Sequence, residues 1–353
     1  MGDEILPVIE RAASRLTDSL VMEEPDESEI GVHERAREGD LLCMAPMRGV
    51  TTRVFRSVYE RFFDPPERAI APFIPTVKAD RVKPKLLADV LPVPDARMLL
   101  EPQMISKDAD DMLLLARALA DLGYTRVNWN LGCPWPQVVK KNRGSGLLAH
   151  PDELIHILDS FLARSPISCS LKVRLGRETP AELRGLLPRL DAFPLDEIII
   201  HARTARQMYE GTCDLDAFAE CLVLTRHPVC YNGDLFSKED FDMLRGRFPE
   251  IKRWMIGRGL VRDPFLPARL RGRVEVPAGG AALEVLRDYH DALCEAYREL
   301  YGGAAPVLGK MKEFWSYLCH SFERPEKVFK KIRKAQNWAH YQDAVCAVMK
   351  GGV

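Results

Sequence analysis

Apolar runs of six or seven residues recur along most of the chain. They fall at 41–46 (LLCMAP), 68–74 (RAIAPFI), 97–103 (RMLLEPQ), 125–131 (TRVNWNL), 168–174 (SCSLKVR), 196–202 (DEIIIHA), 228–233 (PVCYNG) and 253–258 (RWMIGR). Runs this short and this apolar suit strands buried on both faces, as in a parallel sheet. Helical patterns lie between most of them. Ser106 precedes KDADDMLLLARALADLG, Pro151 with Asp152 and Glu153 opens PDELIHILDSFLA, Thr179-Pro180 opens another, and Ser237 precedes KEDFDMLRGRF. Eight strands alternating with helices over 41–270 predict an α/β fold, a closed (β/α)8 TIM barrel. An open doubly wound sheet would place Gly-x-Gly-x-x-Gly after its first strand. Here that strand runs into APMRGVTT.

A Pro/Gly/Arg-rich link, RDPFLPARLRGRVEVPAGG, follows the last run. Beyond it, 281–301, 306–320 and 325–348 read as helices, giving a small all-helical C-terminal domain over 281–353. Residues 1–40 carry twelve acids against four arginines and read as an acidic extension, with a short helix expected at 3–20.

Composition narrows the class. A hydrophobic fraction of 46% and a charged fraction of 29% are ordinary for a globular protein. The formal net charge of −1 means that any nucleic-acid surface must be local. The nine cysteines include no Cys-x-x-Cys pair, and Cys213, Cys221 and Cys230 fit no zinc spacing, so no metal and a reducing compartment are expected. With no secretory leader and no run of membrane-spanning length, the expectation is a cytoplasmic protein free of membranes.

Active sites of such barrels form at the carboxyl ends of the strands. The strand ends offer Pro46-Met47, Gln103, Asn130 with Cys133, Lys172 with Arg174, His201 with Arg203, Asn232-Gly233-Asp234 and Gly257-Arg258, so polar groups cluster at one end of otherwise apolar strands. YNGD and MIGRG stand after strands seven and eight, the usual barrel phosphate site, where glycines admit a phosphate to backbone N–H groups and Arg258 adds a charged donor. Lys172 suits either a Schiff base or neutralisation of an anionic ring. His201 is either a satisfied core histidine or a ligand contact. Cys133 sits in a stiff turn, NLGCPWP, followed by a basic glycine-containing loop with Lys140, Lys141 and Arg143.

APMRGVT, NLGCP followed by GSGLL, KVRLG, HARTARQMYEG, NGD and MIGRG stand in the order found in tRNA-dihydrouridine synthases, and over 41–265 the chain resembles that family. The tail, with GKMKEFWSYL, resembles the family's RNA-binding domain. Thr52 stands where the family often has Asp, and the acidic extension departs from it too. The resemblance implies an FMN-dependent enzyme that reduces uridine in tRNA with NADPH (or NADH) as electron donor; a monomer is expected, although no motif speaks to oligomeric state. Its tail leans toward the branch acting early in the D-loop.

The resemblance also implies that Pro46, Met47, Gln103, Lys172, His201, Asn232, Gly233, Asp234, Gly257 and Arg258 hold FMN. Asn130, Arg174 and Arg203 would face the substrate, and Cys133 would be the general acid. Between Pro306 and Lys334, eight cations stand against three acids, so Lys330, Lys331 and Lys334 are expected to meet tRNA, while Phe314, Trp315 and Leu318 read as core. Three rivals remain at this point: an FMN barrel acting on a free pyrimidine, in the manner of dihydroorotate dehydrogenase; a Schiff-base aldolase using Lys172; and a non-catalytic tRNA-binding homologue.

Overall fold

All strand pairings run parallel and pass round a ring. The computed structural model describes residues 39–273 and 276–351, so the helix expected at 3–20 lies outside the described residues. The strands are β1 (Leu41–Met44), β2 (Arg68–Ile70), β3 (Ile74–Pro75), β4 (Leu99–Glu101), β5 (Gln103–Ile105), β6 (Arg126–Leu131), β7 (Ser168–Gly176), β8 (Leu195–Thr204), β9 (Val229–Asn232) and β10 (Arg253–Ile256). β10 pairs with β1, Leu41 opposite Arg253 and Met44 opposite Ile256, which curls the sheet into a barrel.

Each of the eight expected runs holds a strand. Two are broken. Pro102 has no N–H to give a ladder and separates β4 from β5, while residues 71–73 separate β2 from β3. The pairings β2–β4 and β3–β5 carry the ring across both breaks.

Along each strand, alternate residues face the barrel interior and the surrounding helices. Cys43, Ala45, Ile70, Ile199, Cys230 and Met255 form an apolar cluster inside. Val127, Trp129 and Leu131 on β6, and Leu171, Val173 and Leu175 on β7, join the larger outer core with the helices.

The barrel helices are α1 (Arg53–Phe62), α2 (Pro84–Leu87), α3 (Ala109–Ala120), α4 (Pro136–Val139), α5 (Pro151–Leu162), α6 (Ala181–Leu190), α7 (Leu215–Leu222), α8 (Lys238–Arg247), α9 (Arg258–Arg262) and α10 (Leu266–Leu270). Ser237 caps α8 in a reciprocal box with Asp240. Asp108, two residues past the expected Ser106, caps α3 by accepting from Asp111 N at 2.9 Å. Ser106 instead fixes Asp108, whose N–H it accepts at 3.1 Å.

The tail has four helices rather than three: α11 (Gly279–Tyr301), α12 (Ala304–Leu318), α13 (Pro325–Arg333) and α14 (Trp338–Met349). The third expected helix splits because Asn337 accepts from His340 N and starts a new one. Phe314, Trp315 and Leu318 are buried, as expected. Tyr289 of α11 packs edge-on against Phe63 and Phe314, with centroids 4.8 and 5.8 Å away, so tail and barrel share an aromatic core. Lys310 of α12 donates to Gly49 O, and Ser321 donates to Arg262 O. These contacts set the tail against the loop following β1 and against α9, which follows β10.

Candidate active site

The loop after β6 holds Cys133 by its backbone. Asn130 Oδ1 accepts from Gly132 N at 3.1 Å and from Cys133 N at 2.8 Å. The Cys133 carbonyl accepts from Ser145 N at 3.1 Å and Ser145 Oγ at 2.9 Å, so the following loop folds back over the turn. Gly144 is required at that contact. Its φ is +57°, and a Cβ there would lie 2.9 Å from Cys133 O. From β7, Arg174 Nε donates to Gly132 O at 2.9 Å while its Nη1 reaches Thr204 O at 2.8 Å. The thiol is half-buried. Burial pushes its pKa up, while the Trp135 N–H and the cations of Arg174, Arg48 and Lys172 pull the other way. At neutral pH it is a thiol and not a thiolate.

Lys172, also on β7, donates to Asn232 Oδ1 at 2.8 Å, and Asn232 Nδ2 donates to Met255 O at 3.0 Å. Burial, reinforced by the neighbouring Arg174, lowers the ammonium to about 8. Among the described residues, neither Lys172 nor Arg174 has a carboxylate partner. A buried guanidinium and a half-buried ammonium inside the barrel are thus left without a counter-charge, an arrangement that suits an anionic or electron-rich ligand. His201 is buried, and burial followed by Arg174, Lys172, Arg203 and Arg258 holds it far below the usual imidazole range. It is neutral, and so able to accept as well as donate.

The two glycine motifs after β9 and β10 separate in meaning. Gly233 is needed by the protein itself, since a Cβ there would collide with the Tyr231 hydroxyl and lie 2.8 Å from Cys213 Sγ. At Gly257 a Cβ would lie 3.4 Å from Ala45 Cβ and 3.8 Å from Met47 Sδ, ordinary contact that does not by itself demand glycine. The bare backbone beside Met47 is then a cradle that a side chain would fill.

Asp234 stands between two guanidinium groups. Arg203 grips both of its oxygens, and Arg258 Nη2 donates to Oδ1 at 2.8 Å. Arg203 is itself buried and also donates to Gly211 O at 2.6 Å, which makes it a brace for the loop after β8. Gln103 is wholly buried, its amide shared between Asn128 and Asn130.

Pro46, Met47, Cys133, Gly233, Asp234, Gly257 and Arg258 follow the carboxyl ends of their strands, and Asn130, Lys172, Arg174, His201, Arg203 and Asn232 lie from the middle of theirs onward, whereas Gln103 opens β5 and is wholly buried. Lys330 and Lys334 are exposed on α13 and just after it, with Lys331 half-buried, and belong to the tail. Of the eight cations between Pro306 and Lys334, Lys310 and Lys312 turn inward, to Gly49 O and Ala335 O.

Two residues given no part from the sequence stand out here. Tyr209 is 54% exposed, with Arg174 and Arg258 lying 5.3 and 5.1 Å from its ring. Trp135 is 52% exposed beside the thiol turn, fixed between two prolines. Their signal was available, since Tyr209 lies in HARTARQMYEG and Trp135 in NLGCPWP. Among the described residues, no cluster of His, Cys, Asp and Glu suits a metal ion. No helix there is long and apolar enough to cross a membrane.

A family profile described as Dihydrouridine synthase (Dus) matches residues 43–349. A Rhodobacter capsulatus protein named "Probable tRNA-dihydrouridine synthase" is 26% identical over 265 residues, covering 72% of this chain and 80% of its own. A Cupriavidus necator "tRNA-dihydrouridine(16) synthase" is 27% identical over 305 residues, covering 84% of this chain and 93% of its own. Among solved structures, the old yellow enzyme from Trypanosoma cruzi covers 67% of this chain and 89% of its own at 10% identity. Its TM-score of 0.47 is too low to bear on the argument.

Proposed function

The chain belongs to the dihydrouridine synthase family, and on that premise we propose that it reduces uridine in tRNA to 5,6-dihydrouridine with FMN as cofactor and NADPH or NADH as electron source. One observation carries the reading: a half-buried thiol, whose pKa burial pushes up, is pinned beside Arg174 and Lys172, neither of which has a carboxylate partner among the described residues. The donor set fits a flavin, which is electron-rich at its ring edge and anionic at its phosphate. Lys172, His201 and Asn232 would meet the ring, Pro46 and Met47 its face, and Gly233, Gly257 and Arg258 the phosphate. Gln103, wholly buried with its amide held by Asn128 and Asn130, would act through Asn130 and not as the ring contact expected from the sequence. Asp234 would act indirectly, by holding Arg258 in place. When bound, FMN supplies hydride to uracil C6.

The protein's own task is then the proton. Uracil C5=C6 is conjugated to the C4 carbonyl, so addition at C6 leaves negative charge shared between C5 and O4. Cys133 Sγ–H protonates C5, a role that needs a thiol retaining its proton at neutral pH. The thiolate left behind lies within the field of Arg174, Arg48 and Lys172 and regains a proton from solvent. Arg174, tied to Gly132 O, would also face the base, Asn130 would keep the turn in place, and Arg203 would support both through its loop.

Tyr209 and Trp135 offer exposed rings to nucleobases drawn from the RNA stack. Lys330, Lys331 and Lys334 would meet phosphates. The name of the Cupriavidus relative suggests the position-16 uridine as the target.

A test is NADPH oxidation by the FMN-loaded protein with unmodified tRNA, uracil or orotate. Stimulation by tRNA alone is expected. Stimulation by orotate or uracil would move the reading to a free pyrimidine, and none at all would leave a non-catalytic tRNA-binding homologue.

A further inference from the structure

A row of hydrogen bonds runs from the thiol turn down into the barrel interior. Cys133 N donates to Asn130 Oδ1 at 2.8 Å, and Asn130 Nδ2 donates to Gln103 Oε1 at 2.8 Å. Gln103 Nε2 then donates to Asn128 Oδ1 at 2.7 Å, and Asn128 Nδ2 to Ser170 Oγ at 2.6 Å. Ser170 Oγ finally donates to Glu101 Oε1. Gln103, Asn128 and Ser170 are fully buried, and Glu101 nearly so.

The row crosses β4, β5, β6 and β7 and ends in an ion cluster. Arg68 lies 3.6 Å from Glu101 Oε2 and pairs with Glu197, which Arg253 approaches at 4.0 Å.

Every link points the same way, and the terminus dictates why. A carboxamide can be turned end for end with little change in shape, so a row of three has two polarities. Burial pushes the Glu101 carboxyl up to about 7, with Arg68 and the Ser170 hydroxyl pulling the other way, so above that pH Glu101 is a carboxylate and its Oε1 accepts from Ser170. Ser170 must then donate to Glu101 and accept from Asn128 Nδ2, which turns Asn128 Oδ1 toward Gln103 and so on up the row. In the reversed polarity Asn130 would set its NH2 against two N–H groups, and the thiol turn would lose both hydrogen bonds.

We propose that Glu101 and Ser170 are positioning residues for the thiol turn. They fix the polarity of the Asn128–Gln103–Asn130 row and so keep Asn130 Oδ1 facing the N–H groups of Gly132 and Cys133. The consequence for catalysis rests on the reading of Cys133 as proton donor; the structural claim does not.

The test uses the full-length chain with FMN added. Ser170→Ala removes the polarity-setting link without changing charge. Amide hydrogen exchange of the segment containing Gly132 and Cys133 should quicken about tenfold, the factor matching the net worth of one buried hydrogen bond. Exchange in β8 should be unaltered. Glu101→Gln, which can present either an oxygen or an NH2 to Ser170, should quicken exchange at the same segment by a smaller factor, and it serves if the alanine variant fails to fold.

Single-turnover uridine reduction should drop about tenfold in Ser170→Ala, with no further loss when Ser170→Ala is added to Cys133→Ala. Wild-type exchange at Gly132 and Cys133 in the folded variants would overturn the proposal. So would losses that add in the double variant when Cys133→Ala alone is impaired. If Cys133→Ala alone turns over normally, the proton-donor reading falls, and the exchange data still decide the positioning claim.

Discussion

Lys172→Met should make the flavin-free protein more stable while weakening its hold on FMN. Burial lowers the ammonium from 10.5 to about 8. At about 1.4 kcal/mol per pKa unit, keeping the charged form inside costs about 3 kcal/mol at pH 7. Methionine matches the volume and removes the charge. Against this, Asn232 Oδ1 loses its donor, at about 1 kcal/mol. The net expectation is a gain of about 2 kcal/mol.

The gain shrinks with pH in a defined way. Between about 8 and 10.5 the unfolded chain binds the proton that the folded chain has released, so wild-type stability rises with pH there and the advantage of the variant fades. Urea unfolding of flavin-free protein at pH 7 and pH 9.5 measures this, with the midpoint difference shrinking at the higher pH. FMN should bind at least tenfold more weakly to the variant, as expected for loss of a charged hydrogen bond worth about 1.5–3 kcal/mol. A flavin-free variant less stable than wild type at pH 7 would mean that Lys172 is not an uncompensated charge, and the argument for an electron-rich ligand would fail with it.

Other changes probe the supports of the site. Gly144→Ala forces a side chain onto a left-handed backbone 2.9 Å from Cys133 O, and should cost about 1–3 kcal/mol in chemical denaturation. Asp234→Asn leaves the buried Arg203 without a full counter-charge; a loss of up to about 3–5 kcal/mol in urea is expected, with reduced FMN occupancy after dialysis as Arg258 is freed. Changing Lys330, Lys331 and Lys334 to Glu should weaken tRNA binding and flatten its salt dependence, leaving flavin reduction by NADPH untouched.

The strands were legible because parallel strands with both faces covered must be apolar almost throughout, and RVNWNL or SLKVR between helices has few other readings. The same strings also carried the interior polar residues. Asn128 and Asn130, Glu101 and Gln103, and Ser170, Lys172 and Arg174 each recur at period two, the spacing of one strand face. What no single strand reveals is the register that brings them together. Gln103 meets Asn128 because β5 and β6 pair at those two residues, and Asn130 lies opposite Lys172 through β6 and β7. Likewise, Asp234 reads from the sequence as a cofactor contact, and only the fold sets Arg203 and Arg258 on either side of it. Gly233 reads as a phosphate glycine, although Tyr231 and Cys213 already exclude a side chain.

The central claim is that Cys133 gives the proton. It is tested most directly by single-turnover oxidation of pre-reduced, FMN-loaded protein by unmodified tRNA, wild type against Cys133→Ala. The variant should bind FMN and tRNA and accept electrons from NADPH as wild type does. Its rate of dihydrouridine formation should be lower by about 10²–10⁴-fold, the usual loss for a positioned general acid. Equal rates in the two proteins would contradict the account, leaving the pinned turn after β6 as architecture and the acid elsewhere.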